Sequence, residues 1–181
     1  MENWVFEKEA LDLFATHYES GEKISHDLTI KIRASAKFQA GYQGVRQIQY
    51  GLLDMAWHSL GEDGTTNIAD VDVFEKKVTE KTRLLPAVPG TNASCSFTHI
   101  FSGGYSAGYY SYKWAEVLDA DAFELFREQG LFSEEVAKRF REHILTRGGT
   151  EHPMELYKKF RGREPDPDAL LRRDGLIAQK S

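Results

Sequence analysis

Apolar residues recur at helical spacing along most of the chain, and this pattern predicts a succession of helices. The first covers residues 7–16, where Ala10, Leu11 and Phe14 lie on one face, and it ends before Ser20–Gly21. The other predicted helices cover residues 25–36, 38–60, 71–84, 105–129, 134–147 and 154–161, with a last short turn of helix after Pro167. The sequence shows no pattern typical of a parallel sheet. It therefore predicts an all-α fold.

Capping residues mark several of the predicted helix ends. Asp70 and Ser133 stand just before two helices, where their side-chain oxygens can accept hydrogen bonds from free backbone amides. Pro153 suits the first position of a helix because its missing N–H has no partner to lose there. Gly130 and Gly162 follow helix ends, as glycine commonly does.

Three glycines, Gly41, Gly44 and Gly51, lie inside the helix predicted over residues 38–60. Each costs about 1 kcal/mol relative to alanine in a helix interior. Either the helix is simply weakened there, or another backbone packs closely against it. The sequence leaves both interpretations open.

Length, charge and composition exclude several classes of protein. The 181 residues suit one domain over 1–181, and the linker-like stretch Pro86–Ser94 is too short to separate two. A formal charge of −5 without a basic block argues against nucleic-acid binding. No apolar run reaches the roughly 18 residues that span a membrane. The polar residues 1–9 do not resemble a signal peptide, so a cytoplasmic location is expected.

Three tyrosines, Tyr105, Tyr109 and Tyr112, stand at i, i+4 and i+7 of a predicted helix, after His99 and the pair Gly103–Gly104. Phenol and imidazole groups can donate hydrogen bonds to an oxyanion as its charge develops. The glycines would let the preceding loop move. In the alternative interpretation, which spacing alone favours, the tyrosines are core residues with hydroxyls at the rim.

Other candidate sites have less support. Cys95 and His99 lie four residues apart, as a nucleophile and its base could, but the sequence marks no third residue to orient the imidazole. A lone cysteine such as Cys95 is more simply a small buried apolar side chain. Because the sequence contains one cysteine, an internal disulfide and a multi-cysteine metal site are excluded. The histidines form no His-x-x-x-His pair.

Charged residues that recur in close pairs are interpreted as solvent-facing. The pairs Glu75/Glu80 and Glu134/Glu135 are most simply solvated faces of helices. The short basic groups at residues 161–163 and 172–173 have no interleaved aromatic residues, which argues against binding of a phosphate backbone.

The stretch from Phe97 to Phe123 resembles the C-terminal part of the M3 family of zinc peptidases, which includes thimet oligopeptidase, oligopeptidase A and bacterial peptidyl-dipeptidase. The peptidyl-dipeptidase branch is expected to be the most similar. The resemblance extends over essentially the whole chain. Further matching segments are Met1–Trp4, Phe38–Gly41, Val45–Gln47, Gly148–Gly149, Phe160–Pro165 and Asp168–Arg172.

The resemblance implies a mostly helical enzyme with a narrow channel that admits short peptides. It also implies a zinc ion held by His-Glu-x-x-His and a downstream glutamate. This sequence contains no His-Glu-x-x-His, and no metal ligands are identified in it. The expectation is therefore that residues 1–181 form a C-terminal fragment of the catalytic domain that lacks the zinc-binding helix and is inactive alone.

The resemblance also assigns roles to individual residues. Tyr105 and Tyr112 would donate phenol hydrogen bonds to the substrate or the oxyanion, and His99 would bind the peptide backbone. These three are the expected catalytic residues. Tyr109 would line the substrate subsite, and Gly103–Gly104 would supply the mobility of the substrate-binding loop.

Two other hypotheses remain open. The chain could be a non-catalytic helical module that binds peptides or a partner protein, which predicts saturable peptide binding without hydrolysis. It could also be a structural fragment that self-associates, which predicts a concentration-dependent oligomer. The peptidase hypothesis predicts instead that adding the N-terminal half of the enzyme restores activity on short peptides.

Overall fold

A computed structural model of the chain describes residues 2–61 and 68–179. These residues contain helices and turns but no β-strand, which confirms the all-α prediction. The α-helices are α1 (Lys8–Phe14), α2 (His26–Ala36), α3 (Ala40–His58), α4 (Val71–Thr79), α5 (Thr98–Phe101), α6 (Ser111–Gln129), α7 (Glu134–Phe140), α8 (Pro153–Arg161) and α9 (Asp168–Arg173). Short 3-10 segments cover Glu2–Phe6 and Ser94–Ser96, and a π-helical turn covers Arg141–Leu145.

The predicted caps are confirmed. The Asp70 carboxylate accepts hydrogen bonds from two amides in the first turn of α4, at 2.8 and 3.1 Å. The Ser133 hydroxyl accepts one from the amide of Val136, at 3.4 Å, at the start of α7. Pro153 is the first residue of α8, and Gly162 follows its end with a φ of +85°. These local signals set the helix boundaries because they satisfy backbone groups that have no partner within the helix.

Helix α4 ends at Thr79, five residues before the predicted end. Threonine hydroxyls bond backbone carbonyls there: Thr79 Oγ1 donates to the carbonyl of Glu75 at 2.8 Å, and Thr82 Oγ1 donates to that of Thr79 at 3.2 Å. Such side-chain bonds offer the backbone an alternative to the regular helix. The chain turns at residues 80–82 instead of continuing.

Helix α6 begins at Ser111, so the prediction of a helix from residue 105 is wrong over its first six residues. Residues 106–110 form turns, and Ala107 has a φ of +53°. A right-handed helix cannot contain that conformation.

The described chain divides into two compact units. The first unit comprises Met1–Ala40 and Glu116–Ser181, and the second comprises Gly41–Ala115. The prediction of one domain over 1–181 is not decided by this division. None of the helices in the described ranges is long and apolar enough to cross a membrane.

The first unit has an aromatic core. Its buried residues are Phe123, Leu125, Phe126, Val136 and Phe160. The indole of Trp4 contacts Phe123 and Phe126 edge-on, with ring centroids 4.7 and 4.9 Å apart. Its N–H donates to the carbonyl of Leu131 at 3.0 Å, so the buried polar atom of this ring has a partner.

The basic residues near the C-terminus form ion pairs within the first unit. Arg161 and Arg172 are both buried. Arg172 makes two hydrogen bonds to Glu124, at 2.7 and 2.8 Å. Arg161 bonds Glu128 in the same two-pronged way, at 3.1 and 3.0 Å. Burying a charged side chain is much less unfavourable when such partners replace the water that solvated it than when it is left unpaired.

The core of the second unit lies under the segment that carries the predicted site. Leu53 on α3 packs with Phe97 and Ile100 in one buried cluster. Partly buried side chains surround these three: Tyr50, Trp57, Phe74, Val78, Ala93 and Tyr109. Because Phe97 and Ile100 flank His99 in sequence, this core anchors the backbone on both sides of that histidine.

Candidate functional site

The site begins with the close approach of α3 to the turn at residues 106–110. A Cβ atom added at Gly51 would lie 3.6 Å from both Cα and Cβ of Tyr110. Of the two interpretations left open by the sequence, packing of another backbone against this helix therefore applies at Gly51, as an ordinary van der Waals contact. At Gly44 an added Cβ would meet no atom of the described residues within 4 Å, so within residues 2–61 and 68–179 this glycine has no such contact.

The chain between His99 and Ser106 folds back on itself. The Tyr105 amide donates to the carbonyl of His99 at 3.2 Å, and the Ser106 hydroxyl donates to that of Ile100 at 2.6 Å. A Cβ atom on Gly103 would lie 2.9 Å from Cα and O of His99. The structure thus requires glycine at position 103 for a steric reason. The mobility predicted for Gly103–Gly104 stays a prediction.

We expect Gly103→Ala to destabilise the second unit by about 1–3 kcal/mol, because the added methyl group must displace the His99 backbone. Urea unfolding followed by circular dichroism measures this change. Gly44→Ala is the matched control. It removes a helix glycine in open space and should stabilise the chain by about 0.5–1 kcal/mol. Equal effects of the two substitutions would contradict the steric role of Gly103.

The fold brings together the rings of His99, Tyr105, Tyr109 and Tyr112. Tyr105 and Tyr112 are stacked, with centroids 5.1 Å apart and an interplanar angle of 24°. Tyr109 meets Tyr112 edge-on at 5.2 Å. The His99 ring lies 6.0 Å from those of both Tyr105 and Tyr109. We call these four rings the tyrosine–histidine cluster.

The cluster has an exposed and a covered side. Tyr112 is 40% exposed and Tyr105 is partly buried, whereas His99 lies at the surface. The ring of Tyr109 packs against that of Phe97, with centroids 4.9 Å apart. Tyr109 is one of the partly buried side chains around the core of the second unit. The core-packing alternative therefore describes Tyr109, but it does not describe Tyr112.

Hydrogen bonding and burial affect the pKa of two phenols of the cluster, Tyr112 and Tyr109. A hydrogen bond to Tyr105 raises the pKa of Tyr112, and burial raises the pKa of Tyr109. In a hydrogen-bonded pair of hydroxyls, one proton bonds the partner oxygen and the other stays available for a third group, such as a ligand oxygen.

Sequence reasoning missed Asp54, whose carboxylate supports the turn under the cluster. The residue lies on α3 and is 0% exposed. Its two oxygens accept hydrogen bonds from the amides of Ala107 and Tyr109, each at 2.9 Å. The available signal was a lone carboxylate in the otherwise apolar stretch from Leu52 to Trp57.

The interpretation of Glu75 as solvent-facing is wrong. Glu75 is 7% exposed and accepts hydrogen bonds from the amides of Ala93 and Ser94, at 2.9 and 2.8 Å. It also accepts one from the Ser94 hydroxyl at 2.7 Å. Its carboxylate is needed inside because the irregular chain before Phe97 leaves these amides without helical partners. Glu134 and Glu135 are exposed, as expected.

The expectation that Cys95 is buried is also wrong, because its side chain is exposed. Its amide donates to the side chain of Asn92 at 2.8 Å, in a tight turn that points the residue away from the core. The imidazole of His99 has aromatic neighbours: Phe97, Tyr105 and Tyr109.

Within residues 2–61 and 68–179, no three His, Cys, Asp or Glu side chains lie together in a way that could hold a metal ion. The side chains of the tyrosine–histidine cluster themselves are hydrogen-bonding groups. Phenol and imidazole groups at a surface can bind carbonyl oxygens, such as those of a peptide.

Comparison with known proteins identifies the family of the chain. Residues 1–176 match the model of Peptidase family M3. The chain belongs to peptidase family M3. Among the M3 relatives, oligopeptidase A of Haemophilus influenzae is 45% identical over 98% of this chain and 26% of its own length. The organellar oligopeptidase A of Arabidopsis thaliana is 44% identical, over 98% of this chain and 23% of its own.

The dipeptidyl carboxypeptidase of Escherichia coli is 39% identical over 97% of this chain and 26% of its own length. The oligopeptidases A are thus more similar to the chain than this enzyme is, which contradicts the expected order of the two M3 branches. The chain spans about a quarter of the length of these M3 relatives. M3 peptidases are generally zinc-dependent, but the described residues do not fit a zinc site.

Proposed function

We propose that this chain forms the peptide-binding and oxyanion-stabilising part of an M3 peptidase that hydrolyses short peptides. The observation that supports this most is the stacked, partly exposed pair Tyr105 and Tyr112 beside His99. Tyr112 and His99 are exposed and Tyr105 is partly buried, which supports a role in binding a ligand from solvent.

Each group has a distinct role in the proposed site. The hydroxyl of Tyr105 donates to the carbonyl oxygen of a bound peptide, and the bond strengthens as that oxygen gains negative charge. Tyr112 supports Tyr105 and contributes a second phenol. The imidazole of His99 binds the peptide backbone. Tyr109 lines the subsite, and Gly103–Gly104 brings the chain around to the cluster.

The chain alone is expected to bind short peptides without cleaving them, because its 181 residues contain no His-Glu-x-x-His motif. The names of the M3 relatives include a probable cytosolic and an organellar oligopeptidase A. The cytoplasmic location of this chain therefore stays a prediction.

The test is the binding of a fluorescein-labelled oligopeptide of mixed sequence, measured by anisotropy. We expect Tyr105→Phe and Tyr112→Phe each to weaken binding by about tenfold, since each removes a hydrogen bond of about 1–1.5 kcal/mol. Loss of the phenol protons should weaken binding above about pH 10. Tyrosine ionises near that value, and its raised pKa keeps Tyr112 protonated up to there.

The control is Tyr110→Phe, a neighbour in the same turn whose side chain is 58% exposed. It should leave the affinity unchanged. Affinities that are equal in all three variants and the unaltered chain would contradict the proposal. Hydrolysis of the peptide by the pure chain would contradict the expectation that it is inactive alone.

A further inference from the structure

The carboxylate of Asp54 is a charged group enclosed by the second unit, and its place there needs an explanation. The residue is 0% exposed, next to Leu53 in the core. Burying a carboxylate is very unfavourable unless hydrogen bonds replace its water. The groups that bond Asp54 therefore indicate what it stabilises.

Three donors converge on this carboxylate. The amides of Ala107 and Tyr109 donate to its two oxygens at 2.9 Å each. The Nδ1 atom of His58 lies 2.8 Å from one of these oxygens and 2.9 Å from the Asp54 carbonyl. Both oxygens can only accept, so Nδ1 of His58 carries the proton. Asp54 is thereby held on its own helix while it binds the turn.

The two amides belong to the turn that connects Tyr105 with Tyr112. Other amides of this turn bond within it: Gly108 donates to the carbonyl of Tyr105 at 2.9 Å, and Ser111 donates to that of Gly108 at 3.0 Å. Ala107 has a φ of +53°, which alanine rarely adopts. Such a conformation persists only when surrounding contacts impose it. The bonds to Asp54 are contacts of that kind.

A second buried carboxylate holds the other end of the same segment. Glu75 bonds the amides of Ala93 and Ser94, just before the residues that lead to His99. Buried acceptors on α4 and α3 thus fix the chain on both sides of residues 95–106. Of the two, Asp54 lies nearer the tyrosines, since Tyr109 itself donates to it.

We infer that Asp54 is a positioning residue that sets the separation and stacking of Tyr105 and Tyr112, and through them the affinity for peptide. The effect on peptide affinity rests on the proposed function. The placement of the rings can be tested independently of binding.

The test compares Asp54→Asn with Asp121→Asn in the full chain. Both aspartates are 0% exposed, but Asp121 lies in the first unit and bonds Tyr157 and Arg163. An asparagine at position 54 keeps one acceptor oxygen, but its NH2 group faces a backbone N–H. Two donors cannot bond each other, so one hydrogen bond to the turn is lost. We expect about tenfold weaker binding of the labelled peptide in Asp54→Asn, and unchanged affinity in Asp121→Asn, at a temperature where both variants are folded.

Nuclear magnetic resonance supplies the readout that is independent of peptide. In Asp54→Asn, amide hydrogen exchange at Ala107 and Tyr109 should accelerate, and the ring signals of Tyr105 and Tyr112 should shift. Asp121→Asn should leave all of these unchanged. If the unaltered chain binds no peptide, the proposed function fails, while the exchange rates and ring signals still decide the role of Asp54.

Unchanged ring signals and exchange rates in a folded Asp54→Asn variant would overturn the inference. If the unaltered chain binds peptide, an unchanged affinity in this variant would also overturn it. If this variant does not fold, Asp54→Glu replaces it. Glutamate keeps the charge but moves the carboxylate outward by one methylene group, so the turn must shift. Ring signals identical to those of the unaltered chain in a folded Asp54→Glu would then overturn the inference.

Discussion

Asp121→Ala is expected to lower the free energy of unfolding by about 3–5 kcal/mol, because it leaves buried partners of Asp121 without their acceptor. The carboxylate is 0% exposed and accepts from the hydroxyl of Tyr157 at 2.7 Å. It also accepts from Arg161 at 3.4 Å and from Arg163 at 3.2 Å. Removing one member of a buried charged network costs much more than a surface ion pair contributes.

The network also predicts a dependence on pH. Burial and the hydrogen bond to Asp121 raise the pKa of Tyr157 above its ordinary value. A raised pKa in the folded state contributes stability that is present below about pH 10, where the unfolded tyrosine begins to ionise, and is lost as pH rises further. Asp121→Ala should therefore destabilise the chain most at neutral pH, and less in strongly alkaline solution.

Urea unfolding followed by far-ultraviolet circular dichroism measures this loss. Asp119→Ala is the matched control, since Asp119 bonds Arg173 and Asn3 at 2.9 Å each but is exposed. It should cost no more than about 1 kcal/mol. A loss for Asp121→Ala as small as that of the control would mean that water already reaches the network.

Phe97→Ala should lower the free energy of unfolding by about 3–5 kcal/mol and also weaken peptide binding. Phe97 is 8% exposed in the core cluster of the second unit. Its ring packs against those of Tyr109 and Tyr50, with centroids 4.9 and 5.3 Å apart. The truncation leaves a cavity under Tyr109, and it removes a neighbour of the His99 ring.

Thermal unfolding gives the stability change, and the anisotropy titration gives the affinity at a temperature where the variant is folded. The control is Phe101→Ala, whose ring is 53% exposed although it contacts Trp57. A surface truncation of this kind should change stability by about 0.5 kcal/mol. An unchanged peptide affinity in Phe97→Ala would show that the packing of this core does not affect peptide binding by the tyrosine–histidine cluster.

Helix ends were predictable where the signal is local. Asp70, Ser133 and Pro153 act on backbone groups within one turn of themselves, so their effect does not depend on the rest of the fold. The start of α6 was not predictable in this way. The positive φ of Ala107 coincides with contacts to Asp54, a residue more than fifty positions earlier in the chain.

The rings of the cluster lie together in the structure, but not through the helical spacing from which their common face was predicted. Tyr105 is not on the helix that carries Tyr112, and the two rings meet because the turn between them brings them face to face. The family resemblance pointed to the same residues. Their roles toward substrate stay predictions.

By itself the sequence determined the helical class, the caps and membership of the M3 family. Each of these follows from neighbouring residues or from matched segments in order. Only the tertiary structure decided that Asp54 and Glu75 are buried, because burial depends on which amides the rest of the chain brings to them. A carboxylate in a helix looks the same in sequence whether water or a distant backbone N–H satisfies it.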